Sequence, residues 1–194
     1  MSKGIRGIDL YHADSPVQFG QAKADGIQFV ICKASQGLHS VDDQYTNFRH
    51  QAHTAGLLFG AYHFFDPNAD PFQQAAHFVH AATPSKGDLV LTLDVETPGP
   101  SVAANAHACV KEIKRLTGFY PWLYSGDAFY QKYLKNVITE CPLWIARYSA
   151  SPPSTPCEMW QYTDNSREPG TPHPLDGDLY FGTLDDLKAK HTIR

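Results

Sequence analysis

No stretch of this 194-residue chain approaches the roughly 20 consecutive apolar residues of a membrane-crossing helix. The first residues, Met1 to Asp9, also lack the apolar run of a secretory signal, so the chain is expected to begin almost directly at its first strand. Charge of one sign is missing too: 16 Lys and Arg face 20 Asp and Glu, a net charge of -4 without a long run of either sign. That balance argues against nucleic acid or an anionic membrane as partner. Cysteine is sparse. The four residues Cys32, Cys109, Cys141 and Cys157 show no C-x-x-C spacing and are too few for a disulfide scaffold. Histidine is plentiful, but His50 with His53 and His77 with His80 have no carboxylate or cysteine at ligand spacing, and no H-E-x-x-H occurs. No metal is therefore expected. Ser35 and Ser125 have no evident base and orienting group, which makes a serine-hydrolase reading weak. Repeats, low-complexity tracts and linkers are absent as well, so residues 1–194 read as one domain.

What is present is a series of short apolar runs rich in β-branched and aromatic residues. Eight strands are expected near residues 5–11, 27–33, 58–64, 89–95, 120–125, 143–148, 158–162 and 178–182. Helical segments follow the first five: 16–25, 42–55, 71–82, 101–117 and 127–135. Ser15-Pro16 and Asp70-Pro71 read as N-cap and first helical residue, and Gly26, Gly56 and Gly118 stand where C-terminal glycines belong. The later connections, 149–156 and 163–177, are proline-rich and lack helical pattern. The fold class expected is α/β, a modified TIM-type barrel. Its eight strands comprise five strand-helix units followed by three strands lacking regular crossover helices.

In such barrels functional groups gather at the C-terminal strand ends. Here those ends carry Asp9, Lys33, Tyr62, Asp94, Glu96, Tyr124, Arg147 and Gln161, and the last strand opens on Asp178. Asp94 and Glu96 are two apart on a strand and share a face, with α-carbons roughly 6 to 7 Å apart. A carboxylic acid that donates a proton beside a carboxylate that stabilises positive charge is the equipment of a glycosidase. The plainer alternative is a helix cap or an ion pair beside Lys33, and spacing alone does not separate retaining from inverting chemistry.

Six fragments in order, Gly7-Ile8-Asp9, Phe29-Val30-Ile31-Cys32-Lys33-Ala34, Gly60-Ala61-Tyr62-His63-Phe64, Leu93-Asp94-Val95-Glu96, Leu143-Trp144-Ile145-Ala146 and Trp160-Gln161-Tyr162, span nearly the whole chain. With them the sequence resembles glycoside hydrolase family 25, the Chalaropsis-type lysozymes. The resemblance implies a flattened barrel that hydrolyses the β-1,4 bond from N-acetylmuramic acid to N-acetylglucosamine. It further implies Glu96 as general acid and Asp94 as its partner, orienting the acetamido group or stabilising the oxocarbenium-like centre. Asp9 and Asp178 become further acidic residues of the cleft, with Asp176 a rival for the latter, and Tyr62 and Lys33 become substrate or network groups. Two departures stand out, Gln36 where relatives often carry Glu and Tyr180 where they often carry Asn.

Aromatic residues line the later strands in pairs that share a face: Trp122 with Tyr124, Trp144 with Tyr148, Trp160 with Tyr162. Trp122 and Trp144 are assigned to the core, and Tyr62, Tyr124 and Trp160 to sugar contacts. His63, pointing opposite Tyr62, is assigned to packing. Two competing readings remain: a chitinase-like glycosidase and a non-catalytic sugar-binding barrel. The longer chitinase pattern needs Asp where this chain has Leu89 and Thr92, and a binding barrel has no use for paired acids. Carboxylates alone supply the chemistry, so no cofactor is expected. The expected partner is the glycan of the bacterial cell wall, met by a monomer without membrane insertion. Delivery is expected through lysis, a dedicated secretion route or a mature secreted form. Cys141 and Cys157 precede neighbouring strands, and a disulfide between them is an expectation for the structure to test.

Overall fold

A computed structural model describes residues 4–194. The first three residues of the N-terminal segment just discussed lie outside the described residues. Nine strands form one sheet in the order β1-β9-β8-β7-β6-β5-β4-β2-β3, and β1 also pairs with β2, closing eight of them into a barrel. The ring consists of β1 (Ile5–Leu10), β2 (Ile27–Gln36), β4 (Leu58–Phe64), β5 (Thr92–Asp94), β6 (Trp122–Gly126), β7 (Leu143–Ala146), β8 (Met159–Ser166) and β9 (Leu175–Tyr180). The two-residue β3 (Ser40–Val41) is an antiparallel appendage to the end of β2.

Alternation along the strands sorts side chains into two cores. On β2, Val30 and Cys32 point outward into a layer under the helices, while Phe29 and Ile31 point inward with Trp122, Trp144, Met159 and Tyr180. Gly7 on β1 is required by this interior: a Cβ there would lie 2.2 Å from the Phe29 ring. Around the barrel run α1 (Phe19–Ala24), α2 (Tyr45–Ala55), α3 (Pro71–Ala82), α4 (Val102–Thr117) and α5 (Asp127–Phe129), the last continuing into a single π turn, Tyr130–Leu134. Then α6 (Leu184–His191) closes the bottom, with Leu187 in the interior cluster.

Local signals account for several boundaries. The Asp70 side chain accepts from Phe72 N at 2.9 Å and Gln73 N at 2.8 Å, capping α3 at the expected residue. Gly56 and Gly118 end α2 and α4 with φ of 72° and 84°, a region open to glycine. Ser15 does not cap α1. That helix begins at Phe19, after Gln18, whose N–H is held by Gly170 O at 2.8 Å. The expected strand over 89–95 is regular only at Thr92–Asp94; Leu89 N–H still bonds Phe59 O of β4, but Val90 N–H turns to His191 O at the end of α6.

Two differences bear on the site. β9 starts at Leu175, and it runs antiparallel to both β1 and β8. Its beginning, with Asp176, therefore stands beside the C-terminal ends of the seven parallel strands. The expected Cys141–Cys157 disulfide is also corrected, since all four cysteines are free thiols. Both side chains pack in the outer layer, but the β7–β8 pairing begins only at Trp144 and Met159, so no ladder holds the two thiols side by side.

Candidate active site

The barrel mouth holds a cavity of about 320 Å³. Each ring strand from β1 to β9 sends polar or aromatic groups into it, and carboxylates outnumber cations. Asp94, at the end of β5, is buried; its carboxyl lines the cavity, and Oδ1 has no hydrogen-bond partner among the described residues. Burial pushes its pKa well above the usual carboxylate range, Glu96 and Asp9 add to the rise, and Lys33 opposes it. Glu96 stands one step further out and reaches the open cleft. Its pKa is raised by the protein around it, again against Lys33. The expected shared face is thus realised, although Glu96 lies beyond the paired part of the strand.

Lys33 on β2 donates to Gln36 Oε1 at 2.7 Å, and its ammonium sits 5.1 Å from the centre of the Phe64 ring. A neutral glutamine in place of a glutamate leaves this cation without an anionic partner there. Asp9 on β1 lines the cavity, and its Oδ2 accepts from Gln161 Nε2 at 2.7 Å. Burial and Asp176 raise its pKa well above normal, with the Gln161 donor opposing.

The sequence from residue 8 to residue 171 matches the family model for glycosyl hydrolases family 25. The chain belongs to that family. It is a glycoside hydrolase of the lysozyme and muramidase kind, and its relatives agree. It is 32% identical over 181 residues to the autolytic lysozyme of Clostridium acetobutylicum, covering 91% of this chain and 56% of that one. It is 31% identical over 197 residues to the uncharacterised protein YegX of Escherichia coli K12, covering 95% of this chain and 72% of that one. A family GH25 lysozyme from Aspergillus fumigatus, 28% identical, superposes with a TM-score of 0.86 over 96% of this chain and 98% of that one. The family match stops before β9, whose acids are placed by the strand geometry.

Within this family 25 enzyme, Asp176 and Asp178 divide. Asp176 is half-buried and lines the cavity, with its pKa raised to about 6 by burial and by Asp14, Asp164 and Glu96. Asp178 is completely buried behind Asp9, off the cavity surface; its Oδ1 accepts from Trp144 Nε1 at 2.9 Å. Of the expected sugar contacts, Tyr62 and Tyr124 line the cavity. Trp160 does not. Alternation turns Gln161 inward and Trp160 outward, where its ring stacks on Phe181 and its Nε1 donates to Arg147 O at 2.8 Å.

Trp122 is core as expected, packed against Tyr180 and His191. Trp144 is buried too, yet one edge of it borders the cleft. His63 points away from the mouth, between Ser35 Oγ at 2.8 Å and Gln74 Oε1 at 3.3 Å, and burial lowers its pKa to about 4. Sequence reasoning gave Gln161 no role. The alternation within Trp160-Gln161-Tyr162, read against two outward aromatic rings, was the signal available. His12, Asp42 and Asp43 form a cluster dense enough to consider for a cation among the described residues. There the Asp42 carboxylate is already engaged by the His12 ring and by the His12 and Gln44 N–H groups.

Proposed function

We propose that this enzyme is an N-acetylmuramidase that cuts the β-1,4 bond between N-acetylmuramic acid and N-acetylglucosamine in peptidoglycan, working as a monomer on the bacterial cell wall. The observation that carries the reading is the pair at the end of β5: a buried Asp94 with an unpartnered oxygen, beside a Glu96 that reaches the open cleft. Burial raises the proton affinity of both carboxyls, and the Glu96 charge adds to it at Asp94, which favours one proton held between them. Glu96 is the group placed to give that proton to the leaving oxygen, and the carboxylate left on Asp94 faces the positive charge that develops at the anomeric carbon.

With Asp94 accepting from the acetamido N–H, the acetamido carbonyl oxygen attacks the anomeric carbon as the glycosidic bond breaks. An oxazolinium ion forms and the leaving alcohol takes the proton of Glu96. Water then adds to the anomeric carbon from the other side, giving its proton to the Glu96 carboxylate and reopening the ring, so the product keeps the β configuration. Asp9 and Asp176 add negative potential at the mouth, while Tyr62, Tyr124 and Lys33 line it as contacts for the sugar. Asp178 is assigned no contact with the glycan.

Glu96→Gln keeps the shape but has no proton to give. Its expected effect is a fall in turnover of about 10²- to 10⁴-fold with folding and glycan binding intact. Clearing of purified cell walls at near wild-type rate by Glu96→Gln removes Glu96 from the mechanism. Proton NMR of the first product is expected to show the β anomer, and an initial α anomer contradicts retention.

A further inference from the structure

Behind the cleft the hydrogen bonds run in one direction. Gln161 Oε1 accepts from the Tyr124 hydroxyl at 2.8 Å and from the Tyr148 hydroxyl at 3.1 Å. The nitrogen end faces Asp9, where Nε2 donates to Oδ2 at 2.7 Å, the orientation that an ionised, acceptor-only Asp9 requires and that both tyrosine hydroxyls can serve as donors. From the other side Trp144 Nε1 donates to Asp178 Oδ1, while Asp178 Oδ2 is buried with no donor. The β1–β9 register sets Asp178 opposite Gly7 and Asp176 opposite Asp9, so Asp178 shares a face with Asp9 one diagonal step deeper, where the two carboxyls can share a hydrogen bond. Two carboxylates at that range in a dry interior do not both ionise.

We propose that Gln161 and Asp178 are positioning residues that hold Asp9 as an oriented, ionised carboxylate at the barrel mouth, with the proton shared by the two buried carboxyls residing on Asp178. With the proton on Oδ2, the orphaned atom becomes an O–H that can donate to Asp9, and the chain from Tyr148 to Trp144 is matched throughout. Asp9 receives one donor from each side and keeps its remaining lone pairs for the cleft.

The proton belongs on Asp178 because that residue is sealed from solvent and Asp9 opens to the cavity. Other charged groups face Asp9 as well. Asp14 after β1, Asp94 on β5 and Asp176 on β9 oppose its ionisation, and the Gln161 and Asp178 hydrogen bonds are what offset them. Lys33 on β2 is the cation of the cleft, and Cys32, Tyr62 and Tyr124 are held neutral by burial. The inference rests on the muramidase reading only for its assay substrate.

The test compares Asp178→Asn, Asp178→Leu and Gln161→Leu on purified peptidoglycan across pH, with melting temperature as the control for folding. Asparagine can accept from Trp144 and donate to Asp9 as the protonated acid does. Asp178→Asn is therefore expected within about tenfold of wild-type kcat/KM, and Asp178→Leu lower by about 10²-fold or more, the loss that a misplaced active-site group produces. Infrared spectra at neutral pH are expected to show a protonated carboxyl band in the wild type that Asp178→Asn removes.

Gln161→Leu takes a hydrogen bond away from ionised Asp9, so its acid limb of activity is expected to move to higher pH. An Asp178→Asn enzyme as inactive as Asp178→Leu, no change in the infrared band, or an unshifted acid limb in folded Gln161→Leu overturns the proposal. Wild-type enzyme that leaves peptidoglycan intact counts against the muramidase reading instead, and the infrared comparison still decides where the proton sits.

Discussion

At the scale of single residues the mouth concentrates carboxylates in a buried setting, and the cost of burial, with mutual repulsion added at Asp9, Asp94 and Asp176, appears as raised pKa values. Asp176 shows the sign most directly. Its folded-state pKa of about 6 lies above that of a solvated carboxyl, so the folded state binds its proton more tightly than the unfolded chain does. Stability is therefore lost as pH rises through about 6, once Asp176 ionises in the folded state. Asp176→Asn removes that loss and is expected to raise the melting temperature at pH 7, with the gap closing once both carboxyls are protonated below the unfolded pKa. A gap that is constant with pH, measured by calorimetry, contradicts the assignment. Asp94, Glu96 and Asp9 were legible in the sequence because each sits at the end of a recognisable strand. The choice between Asp176 and Asp178 was not, since both are inward positions two apart on one strand. Only their depth in the barrel separates them.

Elements show a similar division. α3 was legible to the residue because Asp70-Pro71 is a cap followed by a preset first turn, whereas α1 was not. The chain there is held by a backbone bond from Gln18 to Gly170, about 150 residues away in sequence, which no local pattern records. Likewise the apolar run before Asp94 reads as one strand, but the Val90 N–H is committed to the last residue of α6. Asp70→Ala removes two hydrogen bonds from the first turn of α3 and is expected to cost about 1 kcal/mol, read as a lower denaturant midpoint with an unchanged slope. An unshifted midpoint contradicts the role of the cap. The reversed direction of β9 was hidden for the same reason that Asp176 was: apolar alternation reports which residues face inward, not which way the strand runs.

For the whole molecule, closure of the barrel leaves a filled bottom and an open, acidic top. Trp122, Met159, Tyr180 and Leu187 occupy the interior below, so the polar ends of the parallel strands are the surface on which a glycan can lie. The eight-strand count and the missing late crossovers were visible as loop lengths. The antiparallel closing strand came only from the register, and the alternation at Trp160 left open which face was outward until the register fixed it. Cleavage at the reducing side of N-acetylmuramic acid is tested most directly by digesting purified peptidoglycan, reducing the new ends with borohydride and identifying them by mass spectrometry. The account predicts new muramitol ends; new glucosaminitol ends, or no new ends at all, contradict it.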